Sequence, residues 1–280
     1  MITVYAPAKV NLVLEVLGKE GAYHRISSIV QAVDLCDVVE FELDAGLLFA
    51  CDEATLERDN LVMEAAALLK ESSRCSLGAR IELRKRIPWD AGLGGGSSDA
   101  AATLLGLNQL WGLGLSLFEL SDLAADLGSD VPFFLHKGTA LVEGKGEKVT
   151  PLPPLPASWF VLLVPPLVRV PDKTKQMYGR LNAIYYTEGQ FVEAAVSVLR
   201  QGRMIGPGLM FNVFQKVAFD FFPELINYRN ALEQAGAPGV GLAGSGPCLF
   251  AFFPGQREAG ELYSRLRRQG LTCYLASCFG

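Results

Sequence analysis

Apolar residues recur at every second position near the start of the chain. In AKVNLVLEVLG, residues 8–18, Val10, Leu12, Leu14 and Val16 share one face, and Lys9, Asn11, Val13 and Glu15 share the other. That two-residue period predicts a strand, on which Lys9 and Asn11 point the same way. β-Branched residues crowd HRISSIVQAVDLCDVVEFEL at 24–43, and ARIELRKRIP at 79–88 predicts another strand closed by Pro88. A helical period takes over in NLVMEAAALLKES, where Asn60 is a good N-cap, and across 97–111, where Leu104, either Leu107 or Leu105, and either Leu110 or Trp111 share a side. SLFELSDLAADLG at 116–128 has a capping box in Ser116 and Glu119, a stripe of Leu117, Leu120, Ala124 and Leu127, and Gly128 as its stop.

The second half intermixes the two periods. TPLPPLPAS at 150–158 holds four prolines and no apolar periodicity, which marks a linker and divides the chain into 1–155 and 156–280. Beyond it come a strand at 159–165, a mainly helical stretch, a helix over PELINYRNALEQAG, two strands around GLAGSGPCLFAFF, the helix QREAGELYSRLRRQG and a closing strand LTCYLAS. The expected class is α+β with two subdomains.

With 280 residues, half of them hydrophobic, the chain has ample material for a core. Its net charge of −5 argues against a general nucleic-acid binder. MITVYAPAKVNL has no basic segment followed by an apolar core, and the apolar run WFVLLVPPLV is broken by two prolines, so a cytoplasmic protein with no membrane partner is expected. Six cysteines without a C-x-x-C pair suggest buried small hydrophobes and no metal site.

One stretch changes the picture. DAGLGGGSSDAAATLL at 90–105 places four glycines in the five positions 92–96, just before two serines and a helical run. Glycines let successive N–H groups converge on one anion, and a helix beginning there adds partial positive charge, so the loop suits phosphate. No lysine precedes Ser97-Ser98, which excludes a Walker A loop, and Ser97 stands where a dinucleotide fingerprint begun at Gly92 needs glycine. Asp99, in the first helical turn, reads as a capping carboxylate. Lys85 and Arg86 either flank a nucleotide or are a charged strand end.

IPWDAGLGGGSSDAA resembles the phosphate-binding motif of the GHMP kinases, which include galactokinase, homoserine kinase and mevalonate kinase. APAKVNLVLEVLG and GVGLAGSGPCLFAF arrive in the family's order, so the resemblance spans almost the whole chain. AYH at 22–24, LGSDVPFFLHKG at 127–138 and FNVFQKVAFDFFPEL at 211–225 are similar to elements of members that phosphorylate a cytidine diphosphate-linked methylerythritol for isoprenoid synthesis. The resemblance implies an N-terminal α+β unit with a left-handed crossover, a ferredoxin-like C-terminal unit, and an active site in the cleft between them. ATP is the implied co-substrate, with Mg²⁺ bridging its phosphates.

The same resemblance carries over residue by residue. Asp130 matches the family's catalytic aspartate and Lys9 its catalytic lysine; by themselves a turn-closing aspartate and a solvated strand lysine read equally well. Asp130, just ahead of Val131-Pro132, is expected in a rigid extended setting that presents a general base to a substrate hydroxyl. ATP phosphates are expected on Pro88, Trp89, Asp90, Ala91, Gly92, Leu93, Gly94, Gly95, Gly96, Ser97 and Ser98. Asn11, Tyr23, His24, Tyr178, Gly244 and Ser245 are the implied substrate contacts, with an aromatic ring stacking on the cytosine and the histidine bonding its edge. Four residues depart from the pattern: Ala22, Arg25, Trp89 and Asp90. So do Val213 and Gln215, which replace acidic residues; none of these removes a proposed catalytic group.

Overall fold

The first strand alternates as its sequence predicts, but both of its faces are covered. In the computed structural model, which describes residues 1–21, 23–53, 60–168 and 170–279, β1 (Ile2–Glu20) is buried without interruption from Ala6 to Val16. β2 (Tyr23–Asp44) is buried in the same way from Ile26 to Val33. Ala22, one of the departures noted above, lies outside the described residues. Two compact units each take part of both strands. The first comprises Met1–Ala8, Cys36–Trp89 and Gly94–Lys137; the second comprises Lys9–Leu35, Asp90–Leu93 and the chain from Gly138 on.

In the first unit the far end of β2 pairs antiparallel with β4 (Gly78–Arg84), from Val38 opposite Arg84 to Asp44 opposite Gly78. β3 (Leu47–Cys51) lies parallel on the other side of β4. The β4 ladder stops at Arg84, short of Pro88, because side chains take the next three N–H groups: Lys85 donates to Asp52, and Arg86 and Ile87 donate to Asp37. Four helices follow, α1 (Leu61–Ser72), α2 (Gly95–Leu110), α3 (Leu117–Leu127) and α4 (Val131–His136), with α2 packed on the other three. Asn60 Oδ1 caps α1 by accepting from the Met63 N–H at 3.0 Å, and the Ser116–Glu119 capping box is complete. The α3 stripe is narrower than its sequence suggests, since Leu120 and Ala124 are buried while Leu117 is 46% exposed.

The second unit holds the rest. β5 (Thr139–Gly144) pairs antiparallel with β2 and with β6 (Lys148–Pro151), and the two-residue β8 (Phe211–Asn212) lies parallel to β1 with Asn212 opposite Leu14. Its other sheet contains β7 (Trp159–Leu163), β9 (Gly241–Leu242), β10 (Leu249–Phe253) and β11 (Cys273–Ser277) in the antiparallel order β11-β7-β10-β9. That order, with a helix before β9 and another before β11, is the ferredoxin-like split βαβ arrangement. Helices α5 (Lys173–Gly179), α6 (Gln190–Arg200), α7 (Phe214–Phe221) and α8 (Leu225–Gln234) fill the long connection from β7. α9 (Gln256–Arg268) packs on β7, β10 and β11. Among the described residues no helix is long and apolar enough to cross a membrane.

Gly106, in mid-α2, shows how tightly the first unit is packed. A Cβ there would lie 2.3 Å from Cε2 of Phe41, a side chain that is itself fully buried on β2. Alanine would gain about 1 kcal/mol of helix propensity but would push an aromatic ring, and overpacking typically costs about 1–3 kcal/mol. Gly106→Ala should therefore destabilise the protein by up to about 2 kcal/mol, seen as a lower urea midpoint at unchanged m-value.

Candidate active site

The glycine run turns into helix earlier than the serines suggest. α2 begins at Gly95, and its N-cap is Gly94 in the left-handed region (φ 74°), so Ser97 and Ser98 lie inside the first turn with the Ser98 N–H bonded to the Gly94 carbonyl at 2.9 Å. A helix capped by a backbone with no side chain leaves its first amides unobstructed. Gly95 and Gly94 are half-buried and Gly96 is exposed; Pro88 is half-buried and Trp89 is 37% exposed.

The preceding residues, Asp90, Ala91, Gly92 and Leu93, belong to the second unit. Three of their carbonyls are tied down: Leu93 accepts from the Lys9 N–H at 2.9 Å, Ala91 from the Cys248 N–H at 3.0 Å, and Asp90 from Lys173 Nζ at 2.5 Å. Gly92 (φ 84°) faces the turn between β9 and β10, and a Cβ on it would lie 2.1 Å from the Ala243 carbonyl oxygen. Only glycine fits both the conformation and the gap.

That turn, residues 243–247, meets β1 at the two polar residues the alternation paired. Lys9 Nζ donates to Asn11 Oδ1 at 2.7 Å, and the same oxygen accepts from the Gly244 N–H at 3.0 Å. Asn11 Nδ2 donates to Ser28 Oγ at 2.9 Å, and that hydroxyl donates to the Val13 carbonyl. Lys9 and Asn11 are each 6% exposed, so neither is the solvated strand residue that their chemistry alone allows. Gly244 (φ 53°) has Lys9 Nζ 3.1 Å from where its Cβ would be, and Ser245 is buried beside it with Oγ 3.3 Å from Thr174 Oγ1. Asn212 holds the turn from behind, donating to the Leu242 and Gly244 carbonyls at 2.8 Å each and accepting from the Phe214 N–H.

The aromatic candidates separate. His24 stacks on Tyr178 with ring centroids 5.1 Å apart, and Tyr186 meets His24 edge-on at 6.1 Å. Tyr178 in turn rests against Phe214 at 4.8 Å. Tyr23, one position before His24 on β2, points away from this group; it is 62% exposed beneath Lys145 Nζ. Partial burial, reinforced by Lys19, lowers the His24 pKa, which favours neutral imidazole with one donor and one acceptor.

Asp130, in the first unit, is exposed and N-terminal to α4, but its backbone is helical (φ −85°, ψ −15°) and not extended as expected. Pro132 falls in the first turn of α4, where a missing N–H costs nothing, so Val131-Pro132 starts a helix.

Asp99 does not cap α2. Its Oδ2 accepts from Lys85 Nζ at 2.6 Å, and the same ammonium donates to Asp37 Oδ2 at 2.5 Å, all three side chains being at least nine-tenths buried. Lys85 is thus committed to two carboxylates and does not reach out as a flanking cation. Two buried carboxylates sharing one ammonium cannot both ionise freely; burial foremost, with Asp37 adding to it, raises the Asp99 pKa to about 7 against the opposing pull of Lys85. Asp99 Oδ1 and Ser98 Oγ, both buried, have no hydrogen-bond partner.

Two family models match the chain, GHMP kinases N terminal domain at residues 60–138 and GHMP kinases C terminal at 194–271. The chain belongs to the GHMP kinases. A 4-diphosphocytidyl-2-C-methyl-D-erythritol kinase of Dehalococcoides mccartyi is 43% identical over 282 residues, covering 100% of this chain and 99% of its own. The kinase of the same name from Symbiobacterium thermophilum is 43% identical over 269 residues, 93% of each chain. A crystal structure of a 4-(cytidine 5′-diphospho)-2C-methyl-D-erythritol kinase aligns with a TM-score of 0.86 at 35% identity, covering both chains in full. Homoserine kinase from Cytophaga hutchinsonii aligns with a TM-score of 0.76 at 20% identity, over 99% of this chain and 94% of its own, a likeness of fold alone. The expected two-part GHMP architecture and small-molecule kinase class both hold.

In this GHMP kinase several residues that organise the site carry no local signal. Lys173, Ser28 and Asp37 act across separations of 83, 17 and 48 positions, and Asn212 sits in the FN pair without marking itself as a support. The Lys85–Asp37–Asp99 cluster yields a pH prediction. Because the folded-state pKa of Asp99 is raised, its contribution favours folding fully below the usual carboxylate range and is lost as pH rises through about 7. Between about pH 4 and pH 7 the stability of the wild type should fall relative to that of Asp99→Asn, as measured by urea unfolding of both at several pH values.

Proposed function

We propose that this kinase transfers the γ-phosphoryl group of ATP to the 2-hydroxyl of 4-diphosphocytidyl-2-C-methyl-D-erythritol, in the cytoplasm, as a step of isoprenoid precursor synthesis. What carries the substrate assignment is the stacked His24–Tyr178 pair, a flat platform with a neutral imidazole, in a chain whose full-length relatives at 43% identity bear that kinase's name. A pyrimidine needs a planar apolar surface and in-plane donor and acceptor groups, and this pair offers both. Tyr23 supplies a second, exposed ring under Lys145.

Phosphoryl transfer requires an oriented hydroxyl and neutralised phosphates more than covalent chemistry from the protein. The segment 88–98, opened by Gly92, Gly94, Gly95 and Gly96 and completed by Ser97 and Ser98, receives the ATP phosphates in this reading, its unspent main-chain N–H groups facing them. Asp130 takes the proton of the substrate hydroxyl as general base, and Lys9, oriented by Asn11, balances charge on the transferring group. Gly244 and Ser245 close on the substrate side of Lys9, where a larger residue than glycine would crowd the ammonium. Among the described residues no three His, Cys, Asp or Glu side chains converge as a metal cage; Mg²⁺ is the divalent ion that the family resemblance implies as a companion of ATP. When bound, the ion offsets phosphate charge.

Purified protein should release ADP from ATP with the cytidine-linked alcohol and not with homoserine or mevalonate; turnover with either control in its place would overturn the substrate assignment. Asp130→Asn should lower kcat by about 10²–10⁴-fold with the Kd for ATP unchanged, the range for loss of a general base. An unaltered kcat would remove Asp130 from that role.

A further inference from the structure

Lys173 is the first residue of α5 and is only 5% exposed, an unusual setting for an ammonium group. It has three acceptors. Nζ donates to the Asp90 carbonyl at 2.5 Å and to the Gly246 carbonyl, and the Asp90 carboxylate lies at 3.2 Å. Asp90 opens the glycine run in the left-handed conformation (φ 59°), unusual for a residue with a side chain, and Gly246 lies near the end of the turn that faces Gly92. The next residue of α5 continues the contact, since Thr174 Oγ1 meets Ser245 Oγ. Burial foremost, and then the charge of nearby Lys9, pushes the Lys173 ammonium below its usual range, while Asp90 pulls it back up. Buried in this way, an ammonium is retained only if its acceptors are fixed.

We propose that Lys173 is a positioning residue for nucleotide binding: from α5 it ties the entry of the glycine run at Asp90 to the β9–β10 turn at Gly246, and so sets the gap that the phosphates enter. This rests on the reading that residues 88–98 hold the phosphates of ATP. With all three hydrogens committed to protein oxygens, Lys173 acts through the backbone it holds and not as a direct phosphate ligand. Asp90 is one of the chain's departures from the family pattern, and Lys173 gives that departure a function: the carboxylate keeps the buried ammonium charged and in place.

Two variants separate the tether from simple charge effects. Lys173→Met cuts the tether and leaves the Asp90 carboxylate uncompensated; Asp90→Asn with Lys173→Met cuts the tether and removes that charge as well. If the tether matters, both variants raise KM for ATP at least tenfold, well beyond any change in KM for the cytidine-linked alcohol, whose proposed contacts Gly244, Ser245 and Tyr178 lie on the same turn and helix. Partial unfolding would lower kcat through the active fraction and move neither KM. If KM for ATP returns to the wild-type value in the double variant, the Asp90 charge and not the tether was responsible, and the proposal fails. It fails equally if both stay within twofold. Should the single variant not fold, the double variant, which buries no unpaired charge, decides alone. The Kd for a nonhydrolysable ATP analogue, measured on the same proteins, distinguishes these outcomes without turnover, so an inactive wild type would count against the substrate reading and not against Lys173.

Discussion

An ammonium on a strand covered on both faces cannot keep its water, and Lys9 is in that position. Its desolvation has to be answered by a protein acceptor, and Asn11, on the same face two residues on, supplies one. Asn11 is itself buried and cannot leave its other groups open, so its oxygen also takes the Gly244 N–H and its amide reaches Ser28 on β2. One desolvated charge thereby fixes the separation of β1, β2 and the β9–β10 turn. Leaving any member of such a chain unpaired costs about 1–3 kcal/mol, which is why the arrangement has a single geometry.

The glycine run extends the same logic to the main chain. Its carbonyls at Asp90, Ala91 and Leu93 are each claimed by a donor from elsewhere in the second unit, so a segment rich in flexible residues is held still. Flexibility in the free chain is what permits the close approach of Gly92 to Ala243, and the hydrogen bonds then remove that freedom in the folded state. The residues from Gly94 onward instead gain their order from α2, which is packed on three other helices. A rigid scaffold carrying a stretch of bare amides is the form an anion site takes.

Much of this is readable from residue order because it is local. The alternation that puts Lys9 and Asn11 on one face is a property of any strand, and Asn60, Ser116 and Glu119 announce their helix ends by hydrogen bonds three residues long. Positive φ and close approach demand glycine, so the loop stands out in the bare sequence. What stays hidden depends on partners far away. Alternation cannot tell whether the second face of a strand is wet, and here it is buried. Asp99 looks like a cap because carboxylates favour the first turn, yet the ammonium that claims it comes from fourteen positions earlier. The proline two residues after Asp130 argues for extended backbone, whereas it in fact opens α4. His24 is legible as half of an aromatic motif, but that its ring finds Tyr178 while Tyr23 turns outward follows from β2 alternation and from the packing of α5 against α7.

Gly92 and Gly244 have a consequence for how this chain can vary. Gly92 leaves no room for a Cβ, Gly244 leaves only a tight one 3.1 Å from the Gly92 carbonyl oxygen and from Lys9 Nζ, and each holds a left-handed conformation. A small molecule shaped to rest against these two positions would touch a wall that an exchange of either glycine reshapes only at the cost of backbone strain. Escape from such an inhibitor would have to come from residues at its far end, so the part of the molecule pressed against the glycines is where durable affinity should be built.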